Sequence, residues 1–160
     1  MEHGALLILL AIIFAFFMAW GVGANDVANA IGTSVGSKAI TVAQAILIAA
    51  VFESLGAILA GGQVTGTISK GIIPPEIFSH QPQILVYGML AALLATGSWL
   101  LIATCFGWPV STTHSIIGAI IGFAVFCTPL HAIKWIMIVN IVLSWIITPV
   151  LSGLIAFLLF

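Results

Sequence analysis

From Gly4 to Val22 the chain carries no charged side chain, and the stretches 40–62, 84–106 and 135–160 are almost as apolar. A helix needs about 20 apolar residues to cross a bilayer core, and each stretch reaches or nearly reaches that length. Backbone in hydrocarbon must satisfy its own N–H and C=O groups, so these segments read as helices. Hydrophobic residues make up 62% of the chain and charged residues 4%, more apolar surface than a soluble domain of 160 residues can bury. The fold class expected is therefore an all-α polytopic membrane protein, integral and multi-pass.

A fifth apolar stretch, 116–127, is too short to span alone. Before it stand Trp108, Pro109 and then Val110-Ser111-Thr112-Thr113-His114. Proline followed by hydroxyl residues ahead of an apolar run is a helix-start signal. The sequence predicts about five membrane segments, including a half-helix or broken span near 109–128. Irregular backbone at that depth is tolerated only where it is buried in protein or lines a cavity.

The N-terminus carries Glu2 and His3 instead of a positive signal-peptide region, and reads as a retained first helix with Trp20 as an interfacial anchor. A kink is expected at Pro149. Residues 70–82, with Pro74, Pro75, Glu76, His80 and Pro82, read as a polar loop. Gly56 with Ala60 and Gly118 with Gly122 stand four apart, which suits close helix packing. Cys105 and Cys127 read as packing residues. Lys38, Lys70 and Lys134 fall in three different loops, so orientation is not legible. With three lysines and no arginine there is no basic patch, and no nucleic-acid partner is expected.

Asp26 is one of four acidic residues and lies at or near membrane depth. A charge there costs a few kcal/mol or more unless it is paired, hydrated or bound to an ion (at least about 2.5 for insertion). In a helix, Asn25 and Asn29 share a face, with Asp26 beside them and Thr33 seven residues beyond. Gly21, Gly23, Gly32 and Gly36 would let that helix unwind and offer carbonyls to a cation. A carboxylate with amide and carbonyl oxygens suits a hard monovalent cation, or a proton on Asp26; the competing reading is a polar cap at the interface. Glu53 is a second intramembrane acid, read either as a cation ligand or proton carrier facing Asp26, or as a protonated carboxyl bonded to a neighbouring helix. Gln44, Asn140 and Ser144 read as interhelical hydrogen-bond partners, with Gln44 and Thr33 kept as secondary site candidates.

Ser111, Thr112 and Thr113 at the start of a half-helix form an anion-site candidate, because free N–H groups, hydroxyls and the helix dipole converge there. A tetrahedral oxyanion could use them without a basic residue; the alternative is plain N-capping. His114 reads as structural, or as a proton-linked group.

Three segments resemble one known family. GANDVANAIGTSVGSKAIT (23–41), VFESLGAILAGGQVTGTISKGII (51–73) and PVSTTHSIIGAIIGF (109–123) are similar to signatures of the PiT-type inorganic phosphate transporters. The resemblance implies uptake of phosphate coupled to Na⁺ or H⁺ as the coupling ion, with no other cofactor, through two inverted repeats around a midmembrane site. It implies that Asn25 and Asp26 belong to the substrate and cation site and that Ser111 and Thr112 start the half-helix that contacts phosphate, with Thr113 and His114 completing that motif; Asn29 is read beside them as a substrate contact, and Thr33, Gln44 and His114 as further candidates. Cation coupling falls to Asp26 and Glu53, where a Na⁺ ion could bind. The motif occurs once here, so residues 1–160 are expected to form the N-terminal transmembrane repeat, with the second repeat absent.

The function expected is thus cation-coupled phosphate symport, as a partial or split transporter in the plasma (inner) membrane. Its partners would be phosphate, membrane lipid and a second repeat on the same or a separate chain. Two other readings stand beside it: an antiparallel homodimer that rebuilds both repeats, and a non-transporting membrane subunit or remnant. No enzyme is expected, since HExxH, GxSxG and paired catalytic acids are missing.

Overall fold

The structure is a computed structural model that describes residues 4–159, apart from the side chains of residues 67–70. Glu2, His3 and the Lys70 side chain lie outside the described residues. The described chain has five α-helices: α1 (Gly4–Gly36), α2 (Val42–Gly71), α3 (Pro82–Cys105), α4 (Thr112–Cys127) and α5 (Trp135–Leu159). Short 3-10 turns at Pro75–Phe78 and Leu130–Ala132 join α2 to α3 and α4 to α5. Four helices are long and apolar enough to cross a membrane, and α4 is not. The chain is a multi-pass membrane protein, and the half-helix expected near 109–128 is α4. At 1.5 Å per residue its 16 residues reach about 24 Å, short of a bilayer core.

Close packing of α1 on α3 builds the centre, and glycine makes it. A Cβ on Gly21 would stand 3.0 Å from Leu100 Cβ, and one on Gly97 would stand 2.7 Å from the Phe17 ring. Contacts advance in step along both helices (17 with 97, 21 with 100), so α1 and α3 run parallel. Helix α4 runs antiparallel to α3, since Phe123 near its end lies on Gly88 near the start of α3. Phe123 stacks on Phe78 of the connecting turn at 5.7 Å. Around them Ile72, Ile73, Ala92, Ile117, Ile120, Ala124, Ile133 and Ile138 form one apolar core. The Lys134 amide donates to Ile72 O at 3.1 Å, so α5 starts where α2 ends.

Among the described residues nothing lies within 4 Å of a Cβ built on Gly56, Gly118 or Gly122, so the close contact that their spacing suits is not made there. Four-residue spacing identifies a smooth helix face but not its partner. Both cysteines are exposed and unpaired, so neither is a packing residue here. Residues 70–82 are also less polar in structure than in sequence: Ile72, Ile73 and Phe78 are buried. The predicted second span lengthens by about two and a half turns, running on through Gly66 to Gly71. Helix α5 continues through Pro149 without a break.

Thr96 is 1% exposed and its hydroxyl has no hydrogen-bond partner among the described residues. A buried donor left unpaired carries its desolvation cost without return. Thr96→Val keeps the shape and is expected to stabilise the protein by about 1 kcal/mol. A higher melting temperature in detergent checks it; a lower one counts against the burial.

Candidate functional site

The site begins with how α3 ends. Gly107 takes a left-handed φ of +68°, the conformation that glycine adopts at least cost. The Gly107 amide then bonds Thr104 O at 3.1 Å and the Trp108 amide bonds Ala103 O at 2.8 Å, the paired closure of a Schellman motif. This stop turns the chain back toward α1. Trp108 is held by stacking on Phe106 at 5.0 Å, with Trp99 tilted beside it at 6.2 Å.

Asn25 of α1 meets the returning segment. Its Nδ2 donates to Trp108 O at 3.0 Å and to Thr104 Oγ1 at 3.5 Å. Its Oδ1 accepts from the Val110 amide at 3.3 Å and from Asn29 Nδ2 at 2.9 Å. One residue on, the half-buried Asp26 accepts a 2.8 Å hydrogen bond at Oδ2 from Thr112 Oγ1. Helix α1 is continuous through this region. The expected unwinding at Gly21, Gly23 and Gly32 does not occur: the α-helix carries on past each of them to end at Gly36, Gly21 serving the contact with α3.

Helix α4 starts at Ser111, whose Oγ accepts from the His114 amide at 3.3 Å, an N-cap. The amides of Thr112 and Thr113 find no acceptor among the described residues. Successive residues at this start face different ways. Thr112 turns to Asp26, while Ser111, Thr113 and His114 line a cavity of about 600 Å³ between α2, α4 and α5. Gln63 of α2 and Ser144, Trp145 and Thr148 of α5 form its other polar and aromatic walls. The His114 ring lies 3.7 Å from the Trp145 ring, tilted by 40°, and couples α4 to α5.

The sequence-derived candidates therefore divide. Asn25, Asp26, Asn29 and Thr112 come together at the α1–α4 contact; Ser111, Thr113 and His114 gather at the cavity. Glu53 joins neither group. It is exposed on α2 and lines a separate hollow of about 310 Å³ with Val27, Ile31 and Phe52, whose walls do not include Asp26. Thr33 is exposed beyond both. Gln44 is no interhelical partner: with Thr41 it forms the capping box that starts α2 (Thr41 amide to Gln44 Oε1, 2.8 Å). A Thr-x-x-Gln signature before an apolar run could have revealed that role. Asn140 makes no hydrogen bond to another helix among the described residues, and Ser144 bonds its own helix at Ile141 O. Thr104, Gly107, Thr148 and Gln63 were missed from sequence; only Gly107, a glycine closing an apolar run, carried a signal.

Residues 22–160 match the sequence profile of the phosphate transporter family. A putative phosphate permease of Haemophilus influenzae is 54% identical over 159 residues, covering 99% of this chain and 38% of that protein. The chloroplastic inorganic phosphate transporter 2-1 of Arabidopsis thaliana is 46% identical over 149 residues, covering 93% of this chain and 25% of that one. The chain thus spans well under half of these relatives' length. A solved structure described as the sodium-dependent phosphate transporter superposes with a TM-score of 0.89 at 49% identity, over 96% of this chain and 38% of that one. With a family match over most of its length and a near-superposable helical arrangement, the chain belongs to the phosphate transporter family.

Proposed function

We propose that the chain is the N-terminal repeat of a cation-coupled phosphate symporter. The observation that carries the reading is the divided start of α4, with an acid on one side and hydroxyls at a cavity on the other. Phosphate is held by Ser111 and Thr113 hydroxyls and the open amides at the helix start, where the dipole favours an anion. The coupling cation, Na⁺ by analogy with the solved relative, binds at Asp26 with Thr112 and offsets the phosphate charge. Asn29 borders that position. Glu53 serves a second cation, on the α2 surface. The membrane is the plasma membrane.

The uncovered helices support a site completed by further protein. Residues 50–60 of α2 are exposed in unbroken succession, Glu53 among them, and Ile138 is the one buried residue of α5 among the described residues. A carboxylate facing lipid is costly, so a second repeat packed there would supply the missing shell.

Uptake of radiolabelled phosphate into proteoliposomes holding the intact protein, as its cell makes it, tests the proposal. Uptake should require an inward Na⁺ gradient. Uptake driven equally by a proton gradient in K⁺ medium would replace Na⁺ with H⁺, and uptake under neither gradient would overturn symport.

A further inference from the structure

An asparagine side chain offers two N–H donors and two acceptor sites. At Asn25 all four are spent inside the chain, on Trp108 O, Thr104 Oγ1, the Val110 amide and Asn29 Nδ2, and the residue is 6% exposed. Nothing is left to bind a solute oxygen or a cation. Two of these bonds fall on backbone groups flanking Pro109, which has no N–H of its own. A carbonyl and an amide two residues apart, outside any helix or sheet, would be orphaned at this depth without such a partner. The carboxamide satisfies both at once. Its direction is fixed too, because a flipped amide would set oxygen against the Trp108 carbonyl and NH₂ against the Val110 N–H.

We infer that Asn25 is a positioning residue: it pins the segment from Trp108 to Val110 onto α1, and so aims Ser111, Thr113 and the start of α4 into the cavity. It acts through the half-helix and does not touch the transported solute. The inference rests on the functional reading above only for the identity of that solute. The Asp26–Thr112 bond cannot replace the pin, since it holds a rotatable hydroxyl, whereas Asn25 grips two main-chain atoms. Asn29 props the same oxygen from one turn along α1.

The test reads the loop without asking for transport. In the intact protein with its native cysteines replaced by serine, Val110→Cys keeps the backbone amide that Asn25 binds. Maleimide labelling of that cysteine is followed in membranes free of phosphate and Na⁺. Adding Asn25→Ala should speed labelling by about fivefold or more, as expected when a segment loses its buried hydrogen bonds. Asn25→Asp keeps the acceptor and loses the donor, and should give an intermediate rate; it also serves if the alanine protein fails to accumulate. A labelling rate unchanged in the accumulating variant overturns the inference. A second readout compares phosphate with arsenate, an oxyanion of the same shape. A positioning residue should lower uptake of both equally, and a changed ratio in either variant would make Asn25 a ligand instead. If the unmutated protein carries no phosphate, the labelling result still stands, and only the transport reading falls.

Discussion

Asp26→Asn is expected to cut Na⁺-driven phosphate uptake by about tenfold to a hundredfold, the span of one contact to a charged group, here the one that the coupling cation would make. The substitution is nearly isosteric, and the new amide oxygen can still accept from Thr112 Oγ1, now 2.8 Å from Asp26 Oδ2. The geometry of the α1–α4 contact therefore survives, and only the negative charge is removed. If that charge holds the coupling cation, the Na⁺ concentration for half-maximal uptake should rise while the protein stays folded. Initial rates across a Na⁺ series make the measurement. Uptake within twofold of the unmutated protein, at equal Na⁺, would remove Asp26 from coupling. Thr112→Val should follow in the same direction with a smaller loss, because it takes one neutral donor away and leaves the carboxylate.

The largest stability effect is expected at Gly88. A Cβ there would stand 2.2–2.4 Å from three atoms of the Phe123 ring, which is itself stacked on Phe78. The ring cannot swing away without breaking that stack and opening the core around Ile120 and Ala124. Gly88→Ala should then cost about 1–3 kcal/mol, the range for overpacking a closed core. Helix propensity works the other way and favours alanine by about 1 kcal/mol, so a net loss isolates the packing term. Thermal unfolding in detergent, followed by loss of the monodisperse peak, reads it. An unchanged or raised midpoint would mean that Phe123 has another place to go.

Much of the architecture was legible because hydrocarbon permits few choices. Long uncharged stretches had to be helices, and Pro109 with Ser111 marked where a helix could restart below full span. The shape of the site was less legible. Periodicity put Asn25, Asp26 and Asn29 on neighbouring positions of one helix, but could not say that the first would be consumed by backbone at Trp108 and Val110. That depends on the turn at Gly107, a tertiary event 80 residues away. For the same reason the spacing did not find the glycines that make the close approaches. Gly118 and Gly122 have the regular spacing, yet the close approaches in the chain are at Gly21, Gly88 and Gly97. Glu53 was legible as an anomaly but not as a neighbour, since its helix makes little contact with the rest of the chain.

Helix direction has one more consequence. Starting from the face where α1 begins, α1 leads away and α2 leads back, ending beside the start of α5. Helix α3 sets out from that first face in parallel with α1, and the antiparallel α4 returns to it. The α3–α4 pair therefore contributes no net crossing, however deep its turn lies. Only α1, α2 and α5 count, and three is odd. Leu159 emerges on the face opposite Gly4, so any polypeptide continuing from it and folding the same way would enter upside down. The parity of the crossings fixes the relation between the two ends of the chain.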